Sequence, residues 1–335
     1  MTTPSPVVSF SRQFTEADDF AAALMGGEFE YLPVPGQPFI ATLRTLAVGD
    51  VVIQQADDAA HNARAMFAGE LAGLIIPLDG TTDAVRMDGA PVNPRHAFFA
   101  PGGVEFRAHC ARPQRWAAIA LPFSVLEAWS SAAAMPVPWR GEANLLTVAQ
   151  GAGERLSGAL AAAARLVEDT PAILSAPSVG VGLAASLREL VADAIAGEAS
   201  QRISVRATRE AVRVVRQVEA YLEANVDRPL YREDLCAVTG VSLRKLHDAF
   251  IAIVGVSPNA YLKLRRLALA RRALRSQGTD PVLVKSVALA HGFWHLGYFA
   301  HDYRSLFGET PSETQLARGH PTGQARRGMP RVRRA

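Results

Sequence analysis

The chain has 335 residues, of which 49% are hydrophobic and 20% are charged; this composition is typical of a soluble globular protein and excludes a disordered or fibrous one. Its length predicts two domains. Residues 1–200 hold 12 arginines, no lysine and 21 acidic residues (net −9), whereas residues 201–335 hold 23 basic and 11 acidic residues (net +12). The basic half indicates a polyanionic partner, although a solvated basic surface explains the same charge equally well.

The cysteines and the longest uncharged segment favour a cytoplasmic protein. Cys110 and Cys236 are far apart in sequence and provide neither a disulfide framework nor a cysteine-based metal motif. The N-terminal MTTPSPVVSF lacks the basic start and apolar run of a signal peptide. Thr170–Leu187 is uncharged but contains two prolines and two glycines, so it predicts a loop and a soluble helix rather than a membrane span.

Residues 37 to about 121 are predicted to form short strands, because apolar or alternating runs are separated there by Gly, Pro and Asp turn residues. The runs are TLRTLAVGDVVIQQ, LAGLIIPLDG, DAVRMDGAPV, HAFFAPGGVEFRAH and WAAIALP. Asp88 and Gly89 form the Asp-Gly pair that suits a tight hairpin turn. Several short strands at this spacing predict a β-barrel or jelly roll of the cupin-like type.

From Ser124 to about Ala199 the chain becomes rich in alanine and leucine, and its apolar residues recur three and four apart, as in amphipathic helices. We expect these helices to support self-association of an N-terminal domain over residues 1–200. The segment EASQRISVRAT contains the predicted interdomain linker, residues 201–207. The final PTGQARRGMPRVRRA has five arginines and predicts a basic disordered tail over residues 321–335.

Residues 208–320 are predicted to form an all-helical domain, which starts with a helix at TREAVRVVRQVEAYLEAN. In the LYREDLCAVTGVSLRKLHDAFIAIVGVSP that follows, Gly240 permits a tight turn between two short helices, and the small Cys236 lets them cross closely. Ser242 is a suitable N-cap for the second helix. This is the pattern of a helix-turn-helix, whose second helix enters the major groove of DNA.

The segment LVKSVALAHGFWHLGYFAHDYRSLFG repeats this pattern with one extra residue in the turn. Gly292 corresponds to Gly240, and His295 takes the N-cap region, where histidine is a weaker residue than serine. The repeat predicts two DNA-reading units, connected by a long basic helix at SPNAYLKLRRLALARRALRSQG. Trp294 is expected to pack on that helix, with stacking on a base as the alternative. The aromatic residues expected to form a small core are Phe293, Phe299, Tyr303 and Phe307.

Residues from about Thr208 to Arg318 resemble the DNA-binding region of AraC/XylS-type bacterial transcription regulators. The resemblance is carried by VSLRKLHDAF, GVSPNAYLKLRRLALARRAL and VALAHGFWHLGYFAHDYRSLFGETPSE. By the order of its domains, the preceding part is similar to the sensing domains of that family. The resemblance implies an α+β fold, with an N-terminal β-barrel or jelly roll, appended helices and an all-α C-terminal domain with two helix-turn-helix units. It also implies a regulator that binds double-stranded DNA and a small-molecule effector, expected to be a homodimer. An activator and a repressor both stay open, and RNA polymerase is a partner in the case of an activator.

The resemblance further implies which side chains meet DNA. Arg244 is suited to bond a guanine bidentately, Asp248 to accept from a cytosine, and Leu296 or Ala300 to meet a thymine methyl group. The second helix offers few polar groups, which predicts readout largely by shape and apolar contact, with weak readout as the alternative. The residues expected to face bases are Arg244, Lys245, His247, Asp248, Leu296, Gly297, Ala300 and His301. Those expected at phosphates are Ser242, His295, Arg265, Arg266 and Arg304.

Three residues are candidates for effector binding. The guanidinium fork of Arg44 is suited to an anionic effector, with a solvent-facing position as the alternative; His61 and His109 are candidates for a pocket wall or for the surface. No metal or cofactor is predicted, because a turn at Gly292 separates His291 from His295 and the barrel histidines lack metal-ligand spacing. Two other functions stay open: a cupin-type metalloenzyme with a DNA-targeting module, and a ligand-independent DNA-binding protein.

Overall fold

The structure, a computed structural model, describes residues 7–48, 50–79, 84–133, 141, 143–148, 150–196, 201–203, 206–226, 228, 230–276 and 284–316. The predicted tail over 321–335 lies outside these residues, as do residues 204 and 205 of the predicted linker. Contacts divide the chain into two compact units, one of Met1–Asn225 with Leu230–Arg265 and one of Val226–Pro229 with Arg266–Ala335. The first unit therefore contains the β-rich part together with the first helix-turn-helix, and the second unit contains the other.

The β-rich part consists of two antiparallel sheets. In the described residues one sheet has eight strands in the order β1-β3-β4-β11-β6-β9-β12-β13, and the other has five in the order β2-β5-β10-β7-β8. The strands are β1 Val8–Phe14, β2 Gly27–Pro33, β3 Ala41–Val48, β4 Val51–Asp58, β5 His61–Phe67, β6 Leu71–Pro77, β7 Val85–Met87, β8 Ala90–Val92, β9 His96–Pro101, β10 Glu105–Cys110, β11 Gln114–Pro122, β12 Asn144–Thr147 and β13 Gln201–Ile203.

The helices occur between and after the strands along the chain, and the predicted α+β fold with its two helix-turn-helix units is confirmed. They are α1 Ala17–Ala23, α2 Phe123–Ala133, α3 Gln150–Asp169, α4 Pro177–Ala196, α5 Arg206–Glu223, α6 Arg232–Thr239, α7 Leu243–Val254, α8 Pro258–Ser276, α9 Val284–Ala290, α10 Leu296–Phe307 and α11 Pro311–Leu316. A short 3₁₀ helix, Pro171–Ser175, joins α3 to α4. None of the helices in the described part of the chain is long and apolar enough to cross a membrane.

The hydrophobic core follows from the alternation of side chains along the strands. In β11, Ala117 and Ile119 belong to a cluster with the helices that follow the sheet, whereas Trp116 and Ala120 face the second sheet. The helical side of the first cluster is formed by Leu126, Leu156, Leu160, Leu187 and Val191. Side chains of both sheets also pack against each other, as in a sandwich or barrel, so the prediction of a barrel or jelly roll is confirmed.

The predicted Asp-Gly hairpin is confirmed at β7–β8. Asp88 has a φ of 46° and Gly89 a φ of 79°, and positive φ at both central residues is the signature of a type I′ turn. The Asp88 side chain is buried, and its Oδ1 accepts a hydrogen bond from the Arg107 backbone N–H at 2.9 Å. Burial raises the pKa of Asp88 to about 6.

Because of this pKa, we expect Asp88→Asn to stabilise the protein at pH 7. The folded-state pKa of Asp88, about 6, exceeds the reference value of 3.8, so folding favours the protonated carboxyl group. The stability that protonation contributes is fully present below about pH 4 and is lost as the pH rises through 6. An amide carries no charge and still suits the turn, so the gain is roughly 1–3 kcal/mol above pH 6. Urea unfolding of both proteins from about pH 4 to 8 measures it; a gain that did not shrink at low pH would contradict this account.

Candidate nucleic-acid interface and ligand cavity

The first helix-turn-helix is formed by α6 and α7, with Gly240 at the corner. Gly240 is in the left-handed conformation (φ 69°, ψ 21°), and its N–H donates to the carbonyl oxygen of Cys236 at 2.9 Å, an arrangement that glycine adopts without steric cost. Ser242 is the N-cap of α7, where its Oγ accepts a hydrogen bond from the backbone N–H of Lys245 at 3.4 Å. The predicted corner and cap are therefore present.

Helix α7 buries one face and exposes the other. Leu246 and Phe250 are buried, and the Phe250 ring packs edge-on against Tyr261 of α8 with centroids 5.5 Å apart. On the other face, the side chain of Arg244 is 92% exposed and lies 3.9 Å from the carboxylate of Asp248, a surface pair too weak to immobilise the arginine. The residues that the sequence assigned to bases in this helix, Arg244, Lys245, His247 and Asp248, are all exposed.

The second helix-turn-helix, α9 and α10, has Gly292 at its corner with a φ of 76°. Val287 and Ala288 are buried on α9, and Phe299 and Tyr303 are buried on α10. The predicted base-facing residues of α10, Leu296, Gly297, Ala300 and His301, are exposed. His295 occupies the N-cap position of α10, but its side chain makes no capping hydrogen bond.

The predicted aromatic core of this unit is confirmed. Ring centroids lie 4.9 Å apart for Phe293 and Phe299, 5.6 Å for Phe299 and Tyr303, and 4.7 Å for Tyr303 and Phe307. The Tyr303 hydroxyl is 2.8 Å from Oγ1 of Thr314 on α11. These contacts hold the buried side of α10 in place and so determine the orientation of its exposed face.

Two aromatic side chains lie on the surface instead. Trp294 is 60% exposed, so the expectation that it packs on the connecting helix is wrong. Tyr298 is 74% exposed and is not among the predicted DNA-facing residues. The buried residues of α10 are Phe299, Tyr303 and Leu306. Their helical spacing places Tyr298 off the buried face, so the exposure of Tyr298 could have been predicted from the sequence.

The residues predicted at phosphates divide into two groups. Ser242, His295 and Arg304 are exposed, and their role stays a prediction. Arg265 is 2% exposed and paired with Glu30 and Glu223, so the prediction of a phosphate contact does not fit this structure. Arg266 is half-buried, and its guanidinium group donates a hydrogen bond to the backbone carbonyl of Arg228 at 2.7 Å. Part of this guanidinium group is therefore also engaged within the protein.

A cavity lies between the two sheets and encloses about 740 Å³ of space that protein atoms do not fill, including its open part. Most of its wall is apolar, with Phe29, Phe67 and Phe106 among the larger side chains. The polar side chains in its wall are Tyr31, Gln54, His61, Cys110, Gln114 and Trp116.

Of the three effector candidates, one lies in the cavity wall. His61 is 1% exposed and lines the cavity. Arg44 does not line it, because its guanidinium pairs with Asp57 at 2.6 Å and with Glu168 of α3. His109 also lies outside the wall and is 2.9 Å from Oδ1 of Asn62. The predicted effector roles of Arg44 and His109 therefore do not fit the cavity.

The outer face of the five-stranded sheet carries charged residues that pair with the first helix-turn-helix region. Arg107 of β10 is 2% exposed and pairs with Glu219 of α5, which also accepts a hydrogen bond from the Tyr261 hydroxyl. Although burial acts in the opposite direction, the Glu219 carboxylate raises the pKa of Arg107. We call the sheet–helix interface the set Glu30, Arg64, Glu105, Arg107, His109, Glu219, Glu223, Gly255, Tyr261 and Arg265.

A second group of ion pairs in the sheet–helix interface centres on Arg265. Its guanidinium pairs with Glu30 of β2 and, at 2.8 Å, with Glu223 of α5. Glu223 also accepts from Arg64 of β5 at 3.0 Å. At Gly255 the backbone comes so close to His109 that an added Cβ would lie 2.2 Å from the imidazole. Strands and helices are thus joined by buried charge and by close backbone contact.

The comparisons with known proteins agree with this geometry. Residues 235–317 match the family model described as a helix-turn-helix domain. An XylDLEGF operon transcriptional activator of Pseudomonas putida is 39% identical over 98 residues, which are 29% of this chain and 62% of the activator. A second such activator is 36% identical over 98 residues. This chain spans 30% of that protein's length, so the likeness covers only part of each chain.

Two solved structures are similar to part of this chain. A probable AraC family transcriptional regulator from Rhodopseudomonas palustris is 48% identical, with 32% of this chain and 98% of that chain covered and a TM-score of 0.30. An AraC-type regulator from Chromobacterium violaceum is 31% identical, with 35% and 99% covered and a TM-score of 0.30. The two helix-turn-helix units with exposed second helices define a DNA-binding protein. The identity to these relatives shows more narrowly that the chain belongs to the AraC/XylS family of transcription regulators.

Proposed function

We propose that this chain is a cytoplasmic, sequence-specific DNA-binding regulator whose barrel holds a small-molecule effector. The observation that carries the DNA-binding part is the exposure of the predicted base-facing side chains on α7 and α10, while the opposite faces of both helices are buried. A helix supported in this way enters a major groove without losing its packing. The observation that supports an effector is the largely apolar cavity between the sheets.

The same strands serve the cavity and the sheet–helix interface. In β10, Phe106 and Ala108 line the cavity, whereas Arg107 pairs with Glu219; in β5, Ala63 lines it and Arg64 pairs with Glu223. Alternate residues of one strand point to opposite faces of a sheet. A ligand that displaces these strands therefore changes how the first helix-turn-helix is held, to the extent that its affinity differs between the two arrangements.

We also propose that the regulator is a homodimer that uses α3, α4 and the turn between them. Ile173 and Val181 are apolar residues that are 48% and 58% exposed in this region, which provides an apolar surface for a second copy. RNA polymerase would be a further partner if the regulator activates transcription. Sedimentation velocity at micromolar concentration, with and without DNA, tests the dimer, and a monomer in both conditions would remove this part of the proposal.

The DNA-binding proposal is tested by two arginine variants on DNA fragments retained from a genomic library. We expect Arg244→Ala to relax the preference at one base position, by about 1–3 kcal/mol of discrimination, and to leave the salt dependence almost unchanged. Arg304→Ala is expected to weaken binding to all sequences and to lower the slope of log K against log salt by about one. Titrations at several salt concentrations measure both, and the opposite assignment would mean that the helices face DNA differently.

A further inference from the structure

Several polar side chains of the cavity wall contact each other or the neighbouring Asp58. Trp116 donates its indole N–H to Oδ2 of Asp58 at 2.7 Å, and the same oxygen lies 3.8 Å from Nδ1 of His61. Gln114 donates its amide to Sγ of Cys110 at 2.7 Å. We call Asp58, His61 and Gln114 the acceptor cluster.

Each member of the acceptor cluster offers a hydrogen-bond acceptor. Nδ1 of His61 is 2.8 Å from the carbonyl oxygen of Ala59; because a carbonyl only accepts, Nδ1 is the donor there, and in the neutral form of the ring Nε2 is then an acceptor. The Asp58 carboxylate is buried and is hydrogen-bonded by Trp116 and Gln114, and Oε1 of Gln114 is buried without a hydrogen-bond partner among the described residues. Buried acceptors without a donor are uncommon because their desolvation is not compensated. Such a cluster is suited to a ligand that donates.

The charge around the cavity argues against an anionic ligand. None of the described residues that line the cavity is a lysine or an arginine, and Arg44 is paired elsewhere. Asp58 is itself an acid; it is 4% exposed and contacts His61 and Trp116 of the cavity wall. A carboxylate bound there would be desolvated without a basic partner, close to another acidic group.

We propose that the effector is an uncharged, mainly apolar molecule whose hydroxyl group donates a hydrogen bond to the acceptor cluster, as a substituted phenol would. This inference rests on the proposed effector-binding function of the barrel and adds the chemical class of the ligand. The aromatic rings of Phe29, Phe67 and Phe106 in the wall provide the apolar surface for the body of such a molecule.

The test is calorimetric titration of the full chain with three compounds that differ in one substituent: 4-ethylphenol, 4-ethyltoluene and 4-ethylbenzoate. We expect the phenol to bind at least tenfold more tightly than the other two. Equal or tighter binding of the benzoate overturns the proposal, as does the absence of phenol binding at millimolar concentration. In either case, wild-type protein that still retains specific DNA fragments leaves the DNA-binding function standing.

A matched pair of variants locates the donor contact. Gln114→Leu removes the acceptor while keeping the size of the side chain, and we expect the preference for phenol over toluene to fall at least threefold. Gln13→Leu makes the same change at an exposed position of β1 and is expected to keep the full preference. If Gln114→Leu does not fold, His61→Phe is the second variant, with the same expectation. An unchanged preference in the folded variant overturns the assignment to the acceptor cluster.

Discussion

We expect Glu219→Ala to lower the free energy of unfolding by about 3–5 kcal/mol, which is the cost of leaving a buried ion without its partner. Glu219 is 1% exposed, pairs with Arg107 and accepts a hydrogen bond from Tyr261. In the variant, Arg107 keeps its 2.8 Å contact with Glu105, but the guanidinium stays buried and the Tyr261 hydroxyl loses its acceptor. Urea denaturation of the full chain, followed by circular dichroism, measures the loss.

Two further variants separate the buried ion pair from other effects on α5. Glu210→Ala lies on the same helix, where Glu210 makes an exposed pair with Arg213, and we expect the urea midpoint to be unchanged. The double variant Arg107→Met with Glu219→Leu replaces the pair by apolar side chains, and we expect it to recover most of the lost stability, because such replacements are often neutral. If Glu219→Ala behaved like Glu210→Ala, the sheet–helix interface would contribute little stability.

The Glu219 variants also bear on regulation, because β10 contributes to the cavity and to the sheet–helix interface at once. When Arg107 no longer pairs with α5, a displacement of β10 can affect the position of α7 through one contact fewer. A ligand can couple to DNA only through contacts that differ between two states. The DNA affinity of Glu219→Ala should therefore depend less on ligand than that of the wild type.

The features that the sequence predicted correctly are local ones. Gly240 and Gly292 adopt positive φ, and a glycine at such a corner can be recognised from its neighbours alone. The Asp88–Gly89 turn is local in the same way. The base-facing positions of α7 and α10 were assigned by resemblance, and their exposure follows because helical periodicity leaves them opposite the buried residues.

The features that the sequence did not predict depend on contacts between distant segments. Strand β5 has the sequence HNARAMF and shows no strong apolar alternation. The reason is that small alanine side chains on its cavity face alternate with polar side chains on the face that pairs with α5. Arg265 and Arg266 are neighbours in a basic helix, and nothing local shows that Glu30 pairs with the first of them. The same holds for Arg44, whose partner Glu168 is on another element. The pattern of apolar residues indicates which side chains are buried, but it does not indicate which charged residues form ion pairs.

The second recognition helix offers a sharp test, because its predicted DNA-facing surface is small and apolar. We expect Ala300→Glu to weaken binding to retained DNA fragments about 100-fold, since like charges brought together at an interface cost several kcal/mol and each 1.4 kcal/mol is tenfold. Ala300 is exposed on α10, and glutamate is a good helix former, so the fold should be unaffected. Fluorescence anisotropy with a labelled fragment measures the change, and thermal unfolding checks the fold.

Ala300→Gln is the matched control, because glutamine has the size of glutamate without its charge. We expect it to weaken binding about tenfold or less, the part of the effect that is due to bulk in the groove. The difference between the two variants should shrink at high salt, since a carboxylate near phosphates is screened. Equal effects of both substitutions would mean that Ala300 lies away from the phosphate backbone. No effect of either would mean that α10 does not enter the groove and that sequence is read by α7 alone.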